Sequence, residues 1–339
     1  MSRPILEFAN GRPVDPDHFA LDEAIAAAEP LVIRGLCGEW PLVRAARRSA
    51  SDFAHALAAL DNGAAVDVLR MAPEAGGVVS YNAAVDGFNY QRFKVSVTEA
   101  LERLADYSRS SGPVPGLALQ SASVPECLPG FCSSHPAPWL PASVQPRLWM
   151  GNRVTTPAHF DASHNLAIVA CGKRRFTLFP IEQVANLYIG PLDFAPTGAA
   201  ITMARPDQPD FERHPRLREA LAHARVAELG PGDALYLPPL WWHQVESLES
   251  LNALVNYWWA PEQLQGRAPV PALGALLHAR LAFAALPARE RGNWRVLFDH
   301  YVFGEGDPAA HIPESRRGVL GDLDAESLVL LRERIRSGL

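Results

Sequence analysis

Between Leu117 and Trp259 the chain breaks into short apolar runs closed by proline, glycine, asparagine and aspartate. Runs of this length, ended by turn-forming residues, are the pattern of an antiparallel barrel or double sheet. The flanks read differently. Asp15-Pro16 resembles a helix start, the alanine-rich run behind it stops at Pro30, and Leu31-Val32-Ile33 follows as a short strand. Ser51 with Asp52 opens a second helix that ends by Asn62-Gly63, and Val66 to Leu69 follows as a strand. Ser96 and Glu99 form a capping-box pattern ahead of Leu101 and Leu104. Beyond Trp259 helical stretches return at Leu273 to Leu286 and Ala325 to Ile335. The expectation is a mainly β chain with α additions, organised as 1–116 (helix and strand packing on the barrel), 117–260 (the barrel core) and 261–339 (helical).

Two irregular stretches interrupt the strands. Residues 125–146 are rich in proline and are expected to form a long loop over the barrel mouth. Residues 191–215 read as an insertion, with one helix between Pro215 and Ala224.

With 48% hydrophobic and 20% charged residues, a sizeable core can form. The net charge is −6 and lysine and arginine are dispersed, so there is no basic stripe for a nucleic-acid backbone, and direct nucleic-acid binding is not expected. No run of eighteen uncharged apolar residues occurs and Met1 to Gly11 lacks a signal-type apolar core, so no membrane association and a cytoplasmic location are expected. Cys37, Cys127, Cys132 and Cys171 contain no C-x-x-C pair and are expected to be reduced, structural thiols.

Chemistry concentrates in the strand-rich region. On a strand, residues two apart share a face, so His159 and Asp161 in Pro157-Ala158-His159-Phe160-Asp161 would point the same way and offer two ligands to one metal. Taken singly, that spacing is weak, because two polar residues flanking an aromatic on an exposed strand look the same. A third ligand follows 82 positions after Asp161 in Gly230-Pro231-Gly232-Asp233-Ala234-Leu235-Tyr236-Leu237-Pro238-Pro239-Leu240-Trp241-Trp242-His243. Alone, His243 reads equally as a histidine packing beside Trp241 and Trp242. Together, two histidines and one carboxylate make a facial triad that leaves positions open on Fe(II), and burying three such groups without a cation would be costly. His164 has the opposite strand parity to His159 and is expected at the surface or in a loop. His135, His214, His223 and His311 are expected to be solvated, and His278 and His300 to lie on helices.

These segments resemble the cupin-like branch of the Jumonji C oxygenases. The matching words are Thr156-Pro157-Ala158-His159-Phe160-Asp161, Asn165, Leu178-Phe179-Pro180, Gly230-Pro231-Gly232-Asp233, Leu235-Tyr236, Trp241-Trp242-His243, Glu246-Ser247 and Val255-Asn256-Tyr257-Trp258, in the family's order and nearly its spacing. Weaker similarity covers Tyr81-Asn82, Gly87-Phe88-Asn89 and Leu119-Gln120-Ser121. The resemblance implies a double-stranded β-helix (cupin, or jelly-roll) with iron on His159, Asp161 and His243. It further implies Thr156 on the distal carboxylate of 2-oxoglutarate, Asn165 and Asn256 near the cosubstrate's iron-binding end, and Trp258 packed beside it. Two positions depart from the family. Its distal-carboxylate lysine falls on Arg174, whose planar fork can hold a carboxylate bidentately, and a supporting tyrosine falls on Ala118. The two are read as a compensated pair, with the guanidinium filling the phenol's space, ahead of the alternative that the cosubstrate has changed. Lys173, one residue away, would face the other side of the strand.

The implied activity is a 2-oxoglutarate-dependent dioxygenase using Fe(II) and dioxygen to hydroxylate a C–H bond. A protein or peptide side chain is the expected substrate, ahead of a small molecule. A metal-holding cupin that does not use 2-oxoglutarate and a non-catalytic binding module are the alternatives. Leu273, Leu276, Leu277, Leu281 and Phe283 have two readings, capping the barrel within one chain or packing against a second copy, and the resemblance implies a homodimer through these C-terminal helices.

Overall fold

The computed structural model describes residues 3–4, 6–8, 21–196, 198–260, 272–321 and 323–337. The Asp15-Pro16 helix start lies outside them. Fourteen strands are described: β1 (Arg3–Pro4), β2 (Leu6–Phe8), β3 (Leu31–Ile33), β4 (Val66–Met71), β5 (Tyr90–Val95), β6 (Gly116–Ser123), β7 (Pro146–Gly151), β8 (Thr155–His159), β9 (His164–Cys171), β10 (Arg174–Phe179), β11 (Arg225–Leu229), β12 (Ala234–Leu237), β13 (Trp242–Ser247) and β14 (Asn252–Trp259). They form a five-stranded sheet, β1-β11-β10-β13-β8, and a nine-stranded sheet, β2-β3-β12-β9-β14-β7-β6-β4-β5. Apart from the parallel pairs β1·β11 and β2·β3, the strand pairs are antiparallel. Of the strands before residue 116, β2 to β5 thus extend the larger sheet and β1 the smaller.

Alternation along the strands shows how the sheets face each other. Ala167 and Val169 of β9, Leu235 and Leu237 of β12 and Leu254 of β14 pack in one cluster with Phe176 and Leu178 of β10 and with Ala227 and Leu229 of β11. Two sheets with a shared apolar interior are the double-stranded β-helix expected from sequence. Leu166, Ile168 and Ala170, the intervening residues of β9, belong to a second cluster with Leu42, Phe53, Leu57 and Leu101 of the helices. Every residue of β9 is consequently buried. A third cluster covers the smaller sheet's outer surface with Ala158, Phe179, Leu187, Leu217 and Trp242.

The helices of this unit are α1 (Leu21–Ala27), α2 (Pro41–Arg48), α3 (Ala50–Ala58), α4 (Val97–Arg109), α5 (Val124–Cys127), α6 (Phe131–Ser134) and α7 (Leu217–Ala222). The capping box at Ser96 and Glu99 is complete, each side chain bonding the other's backbone. The second helix starts earlier than expected: Ser49, not Ser51, is its cap and accepts from the Asp52 amide at 2.9 Å. Residues 125–146 are not an open loop: they include α6 and the end of α5, and their Cys127, Leu128, Phe131, Leu140 and Val144 belong to the cluster shared with the helices. All four cysteines are free thiols, with Cys132 exposed and the others buried.

Residues 271–339 form a separate compact unit containing α8 (Ala272–Phe283), α9 (Ala288–Tyr301) and α10 (Ala325–Ser337). Neither α8 nor α9 has a buried residue. Phe283 stacks on Trp294 with ring centroids 5.2 Å apart and meets Phe298 edge-on at 5.8 Å. Leu281 and Phe303 are exposed to 79% and 73%. No described helix is long and apolar enough to cross a membrane.

Candidate metal and anion site

β8 and β13 lie side by side in the smaller sheet, with His159 directly opposite His243. Their ring centroids are 4.3 Å apart. Phe160 and Trp242, each adjacent in sequence to one of these histidines, meet edge-to-face at 5.0 Å on the outer side and pack in the outer cluster. Burying these two aromatics outward turns the neighbouring histidines inward. β8 ends at His159, so Asp161 reaches the site from beyond the strand rather than on it. Its backbone carbonyl is held by the Leu240 amide at 2.8 Å. One ligand atom from each of His159, Asp161 and His243 lies within 4.8 Å of the others, and His243 Nε2 is 3.6 Å from Asp161 Oδ2.

Both histidines are oriented the same way. His159 Nδ1–H donates to the Pro157 carbonyl at 2.9 Å and His243 Nδ1–H to the Trp241 carbonyl at 3.0 Å. Committing Nδ1 as a donor leaves Nε2 of each ring unprotonated in the neutral form, the tautomer that binds a metal. Burial, followed by the charge of His159, pushes the His243 pKa down to about 4 against the opposing pull of Asp161 and the Trp241 carbonyl. At neutral pH His243 therefore presents a lone pair and not a proton.

Thr156 pairs with Val245 on the same ladder. Three residue steps on β8, from Thr156 to His159, oppose two on β13, from Val245 to His243. This β-bulge lets Thr156 and His159, of opposite parity, line one cavity.

The cavity, about 90 Å³ between the sheets, also takes in Arg174, Asn165, Asn256 and Trp258. Sequence reasoning named all of these. Arg174, the first residue of β10, is buried, and its Nη2 donates to the Trp149 carbonyl at 3.4 Å. Its Nε has no partner, and among the described residues no carboxylate pairs with it. Burial lowers its pKa to about 10, which leaves it protonated at neutral pH. Trp258 Nε1 is likewise a buried donor without an acceptor. Lys173, which precedes β10, is exposed. Ala118 packs with Leu69, Met71, Val79 and Val154, away from the cavity wall.

The lining also includes Gln120, Ala167, Phe176, Ala199, Val245 and Leu254, which were not named as site residues, and Trp149. Trp149 Nε1–H donates to Asn256 Oδ1 at 2.9 Å, Asn256 Nδ2–H to Asn165 Oδ1 at 3.2 Å, and Asn165 Nδ2–H to Asp161 Oδ2 at 3.4 Å. No local signal marks the bond Trp149 makes, because its partner is 107 residues away.

Two histidines are placed differently from expectation. His164 is buried in β9, its Nδ1 2.8 Å from the Tyr236 hydroxyl and its ring stacked on Trp259 at 5.4 Å. Parity does turn it away from His159, but toward the helix layer and not toward solvent. His135 is also buried: it stacks on Phe131 at 4.2 Å, accepts from the Leu42 amide at 3.2 Å and donates to the Phe131 carbonyl at 3.0 Å.

The two Nε2 atoms and the Asp161 carboxylate suit a divalent first-row metal, and the buried guanidinium suits an anion bound beside it. The cupin-like domain family matches residues 16–265, most of the chain and all of this site. The chain belongs to that family. This cupin-like protein is 35% identical over 120 residues to Jumonji C domain-containing protein 5 of Drosophila melanogaster, covering 35% of this chain and 28% of the relative. It is 34% identical over 113 residues to human HSPB1-associated protein 1, covering 33% and 22%. It is 31% identical over 113 residues to lysine-specific demethylase JMJ31 of Arabidopsis thaliana, covering 33% and 20%. The match thus spans about a quarter of the length of these curated relatives. Cupin-like Jumonji C proteins are typically Fe(II)- and 2-oxoglutarate-dependent oxygenases, and His159, Asp161 and His243 form a cluster able to hold the iron.

Proposed function

We propose that this protein is an Fe(II)- and 2-oxoglutarate-dependent dioxygenase that hydroxylates a C–H bond on a protein or peptide side chain. The observation that carries the reading is Arg174, a protonated guanidinium buried beside the triad with no carboxylate partner among the described residues. A buried charge of this kind is stabilised only when a counter-ion arrives. The distal carboxylate of 2-oxoglutarate supplies one.

His159 Nε2, His243 Nε2 and the Asp161 carboxylate would hold the iron, and the Pro157 and Trp241 carbonyls fix both rings. Iron bound there would supply activation of dioxygen coupled to decarboxylation of 2-oxoglutarate to carbon dioxide and succinate, with one oxygen atom entering succinate and the other the substrate C–H bond. Arg174 binds the distal carboxylate through charge-assisted hydrogen bonds, with the Thr156 hydroxyl donating to the same group. Asn165 and Asn256 set the polarity of the metal-side wall. Phe176, Val245 and Leu254 keep water from the reacting atoms. The exposed apolar residues of α8 and α9 support the homodimer.

Anaerobic titration with Fe(II) and 2-oxoglutarate tests the assignment. The expected result is a weak visible charge-transfer band that Arg174→Ala abolishes at the same cosubstrate concentration. Absence of the band in the unaltered protein, with no oxygen-dependent succinate, rejects it.

A further inference from the structure

The three hydrogen bonds from Trp149 to Asp161 cross the larger sheet diagonally. Trp149 on β7 lies opposite Leu254 of β14, and its indole reaches two residues on, to Asn256. Asn256 lies opposite Ala167 of β9 and reaches two residues back, to Asn165. Diagonal neighbours at this offset are within range of long side chains. Asn165 then bonds the carboxylate of Asp161, beyond the strands.

The direction of this relay is set at both ends. An indole N–H only donates, so the Asn256 oxygen must face Trp149 and its nitrogen must face onward. An ionised carboxylate only accepts, so the Asn165 nitrogen must face Asp161. Without the indole donor, both amides lose the group that fixes their orientation from one side, and reversing them would turn the Asn165 oxygen toward the Asp161 carboxylate. Trp149 is itself held by an edge-to-face contact with Trp258, centroids 5.8 Å apart. Its carbonyl, independently of its ring, accepts from Arg174.

We infer that Trp149 is a positioning residue for the metal site: its indole N–H fixes the polarity of the Asn256–Asn165 relay and thereby the orientation of the Asp161 carboxylate. The inference rests on the metal reading of the triad. Asn165 is the partner that orients a metal ligand at one remove, where a loss costs about 10-fold to 100-fold, and Trp149 acts on it through Asn256. Phenylalanine in place of Trp149 keeps an aromatic ring and the backbone carbonyl while deleting the donor.

The test is a double-mutant cycle on Mn(II) affinity, read by electron paramagnetic resonance of free Mn(II), in the full-length protein, Trp149→Phe, Asn256→Ala and the double variant. The expected result is about 10-fold weaker Mn(II) binding in Trp149→Phe, with no further loss when the same change is made on Asn256→Ala. A general packing role would instead give additive losses, and additive losses or unchanged affinity in Trp149→Phe overturn the inference. If Asn256→Ala does not fold, the Co(II) absorption spectrum of Trp149→Phe at saturating metal decides: a changed ligand-field spectrum supports the relay and an unchanged one overturns it. Failure of the unaltered protein to bind Mn(II) rejects the metal reading itself, an outcome distinct from either result with Trp149→Phe.

Discussion

His159 and His243 face each other across one rung of the β8–β13 ladder, and each donates its Nδ1–H to the carbonyl two residues earlier in its own chain. The ring orientation is therefore a local property of each strand, while the approach of the two rings is a property of the sheet. Both Nε2 atoms are left free for a metal.

This arrangement gives the metal-free protein a defined acid sensitivity. Buried neutral His243, with its pKa lowered to about 4, binds its proton later than an unfolded histidine near 6.5. Between those values the unfolded chain holds more protons, so stability is full above about pH 6.5 and is lost as pH falls toward 4. The histidine's share is about 3 kcal/mol, and His135 and His164, lowered by burial, act in the same direction. Urea unfolding with chelator present, at pH 7 and pH 5, should show a smaller drop for His243→Leu than for the unaltered protein. Equal drops contradict the prediction.

Arg174 separates binding from stability. Replacing it by methionine removes a buried charge without a counter-ion, so the metal-free protein should gain about 1–3 kcal/mol in chemical denaturation. Its 2-oxoglutarate affinity should fall at least about 100-fold. Arg174→Lys should keep part of the affinity, since the charge remains but the fork is lost. A methionine variant that is less stable than the unaltered protein would show that the guanidinium is already compensated.

The turn that delivers Arg174 is intolerant of a side chain. Gly172 has φ of +73°, and a Cβ there would lie 2.5 Å from both Asn252 Oδ1 and the Leu251 carbonyl. Asn252 Oδ1 also accepts from the Lys173 amide. Gly172→Ala should cost more than about 2 kcal/mol, combining backbone strain with displacement of that bond. Gly63, with φ of +81° and nothing within 4 Å of its Cβ, is the control: Gly63→Ala should cost only about 1 kcal/mol. Thermal or urea midpoints of the two variants decide it.

The helical unit from 271 onward should pair with a second copy. Light scattering should give twice the monomer mass of 36.9 kDa, and Leu281→Glu, placing a charge on a residue 79% exposed, should shift the protein toward monomer. A monomer mass for the unaltered protein at working concentration rejects the dimer.

The His159–Asp161 pair was legible from residue type and spacing, although Asp161 reaches the site from beyond β8 and not by strand alternation. Thr156, Arg174, Asn165, Asn256 and Trp258 were named by the family resemblance, and they line one cavity with the triad. Thr156 and His159 have opposite parity, however, and only the bulge opposite Val245 and His243 brings both to the cavity. His164 was misplaced because parity gives a direction and not an environment: in a sheet covered on both faces, the side away from the site is also interior. His135 and the 125–146 stretch misled for a related reason. Prolines there shape short helices that pack on the core, where a proline-rich composition alone suggests an exposed loop. Trp149 is readable from sequence as an aromatic that could line a mouth, but its hydrogen bond is not, since that rests on pairing with β14 more than a hundred positions later.

Asp161 and His243 are separated by 82 positions, and β9 to β12 lie between them. A nascent chain that has emerged only as far as β9 can offer a metal no more than two neighbouring ligands, a weak bidentate hold. The third ligand exists only after the intervening strands have been synthesised and the smaller sheet has closed β13 onto β8. On the metal reading of the triad, three-point binding therefore requires the smaller sheet to be closed first.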